Sequence, residues 1–569
     1  MRAQVTPCPA VGGHPARRVL SLYECVALPA ELPGPDFRCC RPQMLSEPAG
    51  RQLLLRKPRY PASVVSLHRP VGVFDVLEAP TRRSPGAQAL VTCQGETTYE
   101  SLDELADMAS GALYDLGIRP GDRVAASLPN DLDIIVCFHA AMRLGAIWVG
   151  VNRALAPPEK AFILTDSQSS LLIADPAVAD DLSDRLTPDL RLVDAESWAG
   201  AVDASRGRPP VPTPDPSAPA GIAYTSGTTG HPKGAVHSQA GLILPGQATV
   251  ARRGWGADLR KGDSLPLTIL NMMVLTTLLT AQAGGTAIIF DRGDVASVVE
   301  WIRRERVTEW NGPPAQLHTM VNDQSIQEED LASLREVWVG GGDCPDRLRD
   351  AFEKRFGIRV SRTYGLTEAP ALVCLDDLTG GRPEGTSGRP LDHVRVAALD
   401  DELVLSAVAD GPWAGEYKPM LGYWNKPAES EAVLADGLLH TGDLGSLTAS
   451  GHLRVMGRKS HMIIRGGANV YPAEVERVLA EAPGVQACAV VGVPDDRLGE
   501  RVGAAIETLP GAPIDRQAIL DYCGEQLAAY KIPERLVFVE RLPRNQMGKV
   551  PHGEIRRLLS PRPGSDNGP

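Results

Sequence analysis

Tyr224-Thr225-Ser226-Gly227-Thr228-Thr229-Gly230-His231-Pro232-Lys233-Gly234 follows directly on the short apolar run Gly221-Ile222-Ala223. Glycines let backbone N–H groups approach an anion closely, hydroxyls reorient to donate hydrogen bonds, and a lysine supplies mobile positive charge. Those are the parts of a polyphosphate grip. The common P-loop places Ser or Thr directly after Gly-Lys at the start of a helix. Here His231 and Pro232 separate Gly230 from Lys233, and a proline beside the lysine disfavours a helix start. The alternative is a flexible Gly/Thr loop with no ligand.

Outward from this stretch, apolar strands alternate with amphipathic helices. Asp294, a capping-type residue, precedes Val295, Val298, Val299 and Ile302 at helical spacing. Leu334 to Val339 reads as a strand running into Gly340-Gly341-Gly342, and Leu348, Ala351, Phe352 and Phe356 mark one helix face. Ile358 to Thr363 reads as the next strand, ending at Tyr364-Gly365. This rhythm predicts an α/β fold with a doubly wound parallel sheet, whose ligands bind at the carboxyl ends of strands. A second unit starts near Arg458, with helices at Pro472–Leu479 and Ile519–Leu527 and strands at Ala487–Val493, Val502–Ile506 and Leu536–Val539. It reads as a small α+β domain.

A chain of 569 residues is too long for one core, and 43% apolar with 22% charged residues is globular composition. The net charge of -12 disfavours nucleic acid as a partner. Ten cysteines without a C-x-x-C pair predict reduced thiols and a cytoplasmic location. Ser264 to Phe290 carries no charge and has the length of a membrane span. However, Asn271, Gln282 and Gly284-Gly285 favour a buried helix, a glycine turn and a strand. Residues 1–69 show no signal peptide and read as a disordered extension or a mis-assigned start, and residues 561–569 as a frayed tail.

Four further motifs follow the first in a fixed order. They are Tyr364-Gly365-Leu366-Thr367-Glu368, then Thr441-Gly442-Asp443, then Gly457-Arg458-Lys459-Ser460-His461 with Gly466-Gly467 and Asn469 to Glu476 behind it, and finally Pro543-Arg544 through Gly548-Lys549. With them the chain resembles the acyl-adenylate-forming superfamily of acyl-CoA synthetases, peptide-synthetase adenylation domains and luciferases, over about residues 70–560. The resemblance implies a large N-terminal domain of doubly wound sheets plus a small β-barrel-like subdomain (70–457), and a small mobile α+β C-terminal domain (458–560). It also implies two half-reactions: a carboxylate attacks the α-phosphate of ATP to give acyl-AMP and pyrophosphate, then the thiol of coenzyme A gives acyl-CoA and AMP.

Such a site must supply positive charge and donors where negative charge develops. By the resemblance, Thr225, Ser226, Gly227, Thr228, Thr229, Gly230 and Lys233 hold the β- and γ-phosphates. Gly340, Gly341 and Gly342 border the adenine and the acyl carboxylate, Tyr364 lies against the adenine, and Thr363, Gly365 and Thr367 complete the nucleotide site. Glu368 and Thr228 bind Mg²⁺, which prefers oxygen ligands bridged to phosphates. Asp443 takes the ribose hydroxyls, Arg458 contacts ribose and phosphate, and Lys549 bridges the carboxylate and the α-phosphate. His461 is the hinge, and Gly466 and Gly467 border the thiol channel.

Two positions depart from the family. The hinge is usually Asp or Lys, so His461 is either an exposed histidine at a joint or a pH-sensitive pivot. Relatives often carry a histidine or aromatic near Ile269, and an aliphatic residue there fits an apolar acyl group. The leading expectation is a stand-alone acyl-CoA synthetase for an aliphatic or otherwise apolar acid, because the chain ends at the small domain. The alternatives are a ligase that loads a separate carrier protein and a catalytically dead acyl- or nucleotide-binding relative. Lys233, Glu368, Asp443 and Lys549 speak against the last.

Overall fold

A computed structural model describes residues 69–559, apart from 183, 226–231, 342–343, 467, 496, 510–514 and 545–549. By internal contacts the chain divides into Met1–Ala62 and Ser63–Pro569, and every described residue belongs to the second unit.

Two mixed sheets carry the large domain. In the first, the parallel strands Arg359–Tyr364, Glu336–Val339, Glu309–Asn311, Arg260–Asp263, Thr286–Ile289 and Gln88–Thr92 lie side by side, with antiparallel strands on both edges. In the second, Pro219–Thr225, Ile147–Gly150, Arg123–Ser127, Leu171–Ala174 and Arg191–Asp194 run parallel. Lys233–Ser238 and the short Gly422–Tyr423 close that sheet antiparallel. The parallel strands Leu171–Ala174 and Thr286–Ile289 are buried along their whole length, as their apolar runs require. The helix Val295–Glu305 starts where the sequence predicts, with Asp294 accepting a hydrogen bond from the Ser297 N–H at 3.0 Å.

A four-stranded antiparallel sheet, Val394–Leu399, Glu402–Ala407, Leu439–Leu447 and Leu453–Arg458, forms the half-barrel beside these layers. The C-terminal domain has its own sheet, in which Val485–Asp495 and Gly499–Thr508 pair antiparallel and Arg535–Val539 adds a parallel strand. Its core joins Val475, Val478 and Leu479 of the helix Pro472–Glu481 to Ile519 and Cys523 of the helix Arg516–Gln526.

The uncharged segment after Ser264 folds as the helical run Leu270–Met272, Met273–Leu278 and Leu279–Ala283, with a π turn in its middle portion. Left-handed Gly284 ends it before the strand Thr286–Ile289. No helix among the described residues is long and apolar enough to cross a membrane.

Candidate active site

The parallel neighbours Glu336–Val339 and Arg359–Tyr364 end side by side, the first at Gly340-Gly341 and the second at Tyr364-Gly365. A Cβ on Gly340 would lie 2.0 Å from Thr363 Oγ1, so glycine is required for the two strand ends to meet. Thr363 Oγ1 donates to the Val339 carbonyl at 3.3 Å. Tyr364 is buried, and its hydroxyl donates to Asp443 Oδ2 at 2.7 Å. Asp443 sits opposite Arg458 on neighbouring half-barrel strands, and Arg458 Nε meets Asp443 Oδ1 at 2.6 Å while Nη1 donates to the Thr441 carbonyl at 3.1 Å. Three motifs far apart in sequence thus meet in one chain of polar contacts. Burial, with the Asp443 charge added, holds the Tyr364 phenol well above its ordinary pKa, so it remains a donor.

At the first glycine motif, Thr225 and Lys233 face each other at the ends of the antiparallel pair Pro219–Thr225 and Lys233–Ser238. Lys233 therefore begins a strand, in keeping with Pro232 before it. The predicted phosphate-holding residues Ser226, Gly227, Thr228, Thr229 and Gly230 lie outside the described residues, as do Gly342, Gly467 and Lys549.

Glu368 is partly buried, and its Oε1 accepts a hydrogen bond from Tyr423 Oη at 2.8 Å. Lys233 Nζ stands 5.3 Å from the centre of the same tyrosine ring. Burial first, and the Glu368 charge second, raise the pKa of the Tyr423 phenol, which keeps its proton. Sequence reasoning missed Tyr423. Gly422-Tyr423 alone carries no chemical signature, and only the pairing of this two-residue strand with Ala235 and Val236 brings it to the site.

Gly365 and Thr367 occupy the turn between Tyr364 and Glu368. Gly341 (φ 71°) and Gly466 (φ 58°) are left-handed. Ile269 is partly buried against the apolar core that includes Leu270, Met272 and Met273. The expectation of an exposed His461 is corrected. It is half-buried, and its ring stacks on His552 with centroids 4.1 Å apart. An imidazole has an apolar face to cover, and a second ring from the last helix, His552–Leu559, covers it. Burial, then Arg458 and Arg556, lowers the His461 pKa. Burial, His461 and Arg556 bring His552 down to about 4.

A second feature went unread in the sequence. Lys261, Glu309 and Glu336 lie in register across three neighbouring strands, all buried, with Arg253 Nη2 2.7 Å from Glu336 Oε1. Two residues along, Asp263 accepts from Thr276 Oγ1 (2.7 Å), the Leu265 N–H (2.8 Å) and Asn311 Nδ2 (2.5 Å). This network ties the end of the strand Arg260–Asp263 to the π turn and so fixes where the Leu265–Ile269 segment leaves the sheet.

The AMP-binding enzyme family matches residues 77–416, and the AMP-binding enzyme C-terminal domain matches residues 474–549. The chain belongs to the AMP-binding enzyme family. Among relatives of this AMP-binding enzyme, the long-chain-fatty-acid–CoA ligase FadD13 of Mycobacterium tuberculosis is 34% identical over 497 residues, covering 84% of this chain and 96% of that protein. The feruloyl-CoA synthase of an Amycolatopsis species is 34% identical over 493 residues, with the same 84% and 96% coverage. The anthranilate CoA ligase AuaEII, solved in complex with anthranoyl-AMP, superposes with a TM-score of 0.78 at 26% identity, covering 86% of this chain and 98% of that one. The family and the fold expected from the five motifs both hold, and the enzyme is an acid–thiol ligase of the AMP-forming acyl-CoA synthetase type.

Proposed function

We propose that this enzyme activates an apolar carboxylic acid, aliphatic or fatty in character, to acyl-AMP and passes the acyl group to coenzyme A. The observation that carries the apolar assignment is the uncharged run Ile269 to Met273, in which Ile269 packs against the apolar core that holds Leu270, Met272 and Met273. Relatives named for a long-chain fatty acid and for feruloyl-CoA support an acid with a hydrophobic body.

In this reading Tyr364 presents its ring to adenine, while Asp443 and Arg458 take the ribose and its phosphate. Lys233, with Thr225 and residues 226–230, holds the terminal phosphates. A carboxylate oxygen suits Mg²⁺, and Glu368 fits that role, since no hydrogen bond to its Oε2 forms among the described residues. Bound there with the phosphates, Mg²⁺ would offset their charge as pyrophosphate leaves. Lys549 would place its ammonium between the acid and the α-phosphate. The small domain, which we take as 458–560 with its pivot at Arg458–His461, would then rotate and bring Gly466 and Gly467 toward the incoming thiol. Gating by rotation about a few joint residues is a recurrent device. The described cysteines are free thiols, which supports a reducing, cytoplasmic setting.

The test is AMP release from ATP, Mg²⁺ and coenzyme A with acids graded from short and polar to long and apolar. Activity should rise with apolar length or ring content, and a best substrate that is short and doubly charged would overturn the apolar assignment. Replacing coenzyme A by a phosphopantetheinylated carrier protein, with exchange of pyrophosphate into ATP unchanged, distinguishes carrier loading.

A further inference from the structure

We infer that Tyr423 is the positioning residue of the phosphate end of the site, aiming the Glu368 carboxylate and backing the Lys233 ammonium with one ring. The inference rests on the proposed roles of Glu368 and Lys233 and adds a group that none of the five motifs contains.

The geometry is specific. Tyr423 Oη donates to Glu368 Oε1 at 2.8 Å, which fixes one carboxylate oxygen, while Oε2 accepts no hydrogen bond among the described residues. A phenol bonded to a carboxylate is a charge-assisted contact, stronger than a neutral hydrogen bond. The ring face lies 5.3 Å from Lys233 Nζ, within the range where the ring quadrupole attracts a cation. Glu368 and Lys233 arise from different motifs, and this ring is where the two meet.

The backbone around Tyr423 is held from both sides. The Met420 N–H donates to the Glu368 carbonyl at 2.8 Å, while Leu421 and Trp424 N–H groups donate to the Val236 and Gly234 carbonyls at 2.7 Å each. The Tyr423 N–H donates to Ser430 Oγ at 2.8 Å, and Trp424 Nε1 to the Asp166 carbonyl at 3.1 Å. Gly422 supplies the bend with φ 148°, a conformation other residues rarely adopt. A segment strapped on both flanks delivers its one phenol with little freedom, which is what a positioning group needs.

The experiment measures ATP binding to the full-length protein by calorimetry, without acid, in excess Mg²⁺ and in EDTA. Tyr423→Phe keeps the ring and removes the hydroxyl. ATP affinity should fall about tenfold in Mg²⁺, the loss of one charge-assisted bond, and stay unchanged in EDTA. Tyr423→Leu, which also removes the ring, should weaken binding in EDTA as well, by a few-fold, through Lys233. On a Glu368→Gln background, Tyr423→Phe should add nothing. Wild-type affinity of Tyr423→Phe in Mg²⁺, tighter binding, or equal losses with and without Mg²⁺ alongside a lowered melting temperature would overturn the inference. If Glu368→Gln alone binds Mg²⁺–ATP like the wild type, the assignment of Glu368 fails first, a result distinct from the others.

Discussion

The proposed nucleotide edge and the proposed hinge both set ionisable groups against aromatic rings, in different ways. At the nucleotide edge each acidic group faces a phenol, Tyr364 on Asp443 and Tyr423 on Glu368, and Arg458 adds a positive partner to Asp443. At the hinge two imidazoles stack face to face, and the charges that act on them are those of Arg458 and Arg556. The first arrangement keeps its two phenols protonated. The second favours the neutral form of its rings. The difference predicts phenols that hold their protons through neutral pH beside a pair of rings that acquires charge on acidification. Arg458 touches both regions, as the ionic partner of Asp443 and as a charge acting on His461.

The largest expected effect comes from the group that the joint is proposed to deliver. Lys549→Ala should slow adenylation about 10²–10³-fold, the usual consequence of removing one preorganised donor. Pyrophosphate exchange measures this step, while thioester formation from supplied acyl-AMP should change far less. Equal losses in both steps would dissolve the separation between a delivered lysine and a fixed nucleotide site.

Asp443→Asn comes next. An amide keeps the shape but gives up the charge that Arg458 and the Tyr364 hydroxyl engage. The KM for ATP should rise about 10–100-fold, with the KM for the acid nearly unchanged. A rise in the acid KM instead would move Asp443 to the acyl side.

The fold was legible in the sequence because its signals are local. Asp294 caps the helix it was expected to start, and the strands predicted around Leu334–Val339 and Ile358–Thr363 form at Glu336–Val339 and Arg359–Tyr364. The motif residues Tyr364, Asp443 and Arg458 announce themselves through their glycine neighbours, and the fold brings them together. Tyr423 was illegible for a different reason. Its role arises from a two-residue edge strand and from hydrogen bonds to Glu368, 55 positions earlier in the chain, which leave no periodic trace. The Lys261–Glu309–Glu336 row was hidden likewise, since charged residues inside short strands look like surface positions until the register aligns them. His461 was noticed but misread, because exposure at a joint cannot be judged before the helix that supplies His552 is placed.

The smallest effect tests the hinge half of the comparison. The folded state brings His552 from an ordinary 6.5 down to about 4, through burial first and then His461 and Arg556. Between those values the unfolded chain binds a proton that the folded chain refuses. Stability therefore rises with pH across this window and is lost as pH falls from about 6.5 toward 4. A shift of that size corresponds to about 3 kcal/mol, and partial exposure of the ring reduces it to about 1 kcal/mol. His552→Gln removes the titrating group, so its melting temperature should decline less than that of the wild type between pH 6.5 and 4. His461→Gln should flatten the profile in the same sense, since His461 is also shifted down. Profiles of wild type and both variants that run parallel through this range would mean that the stacked pair does not titrate with folding, and the contrast between these rings and the protonated phenols of Tyr364 and Tyr423 would lose its pH signature.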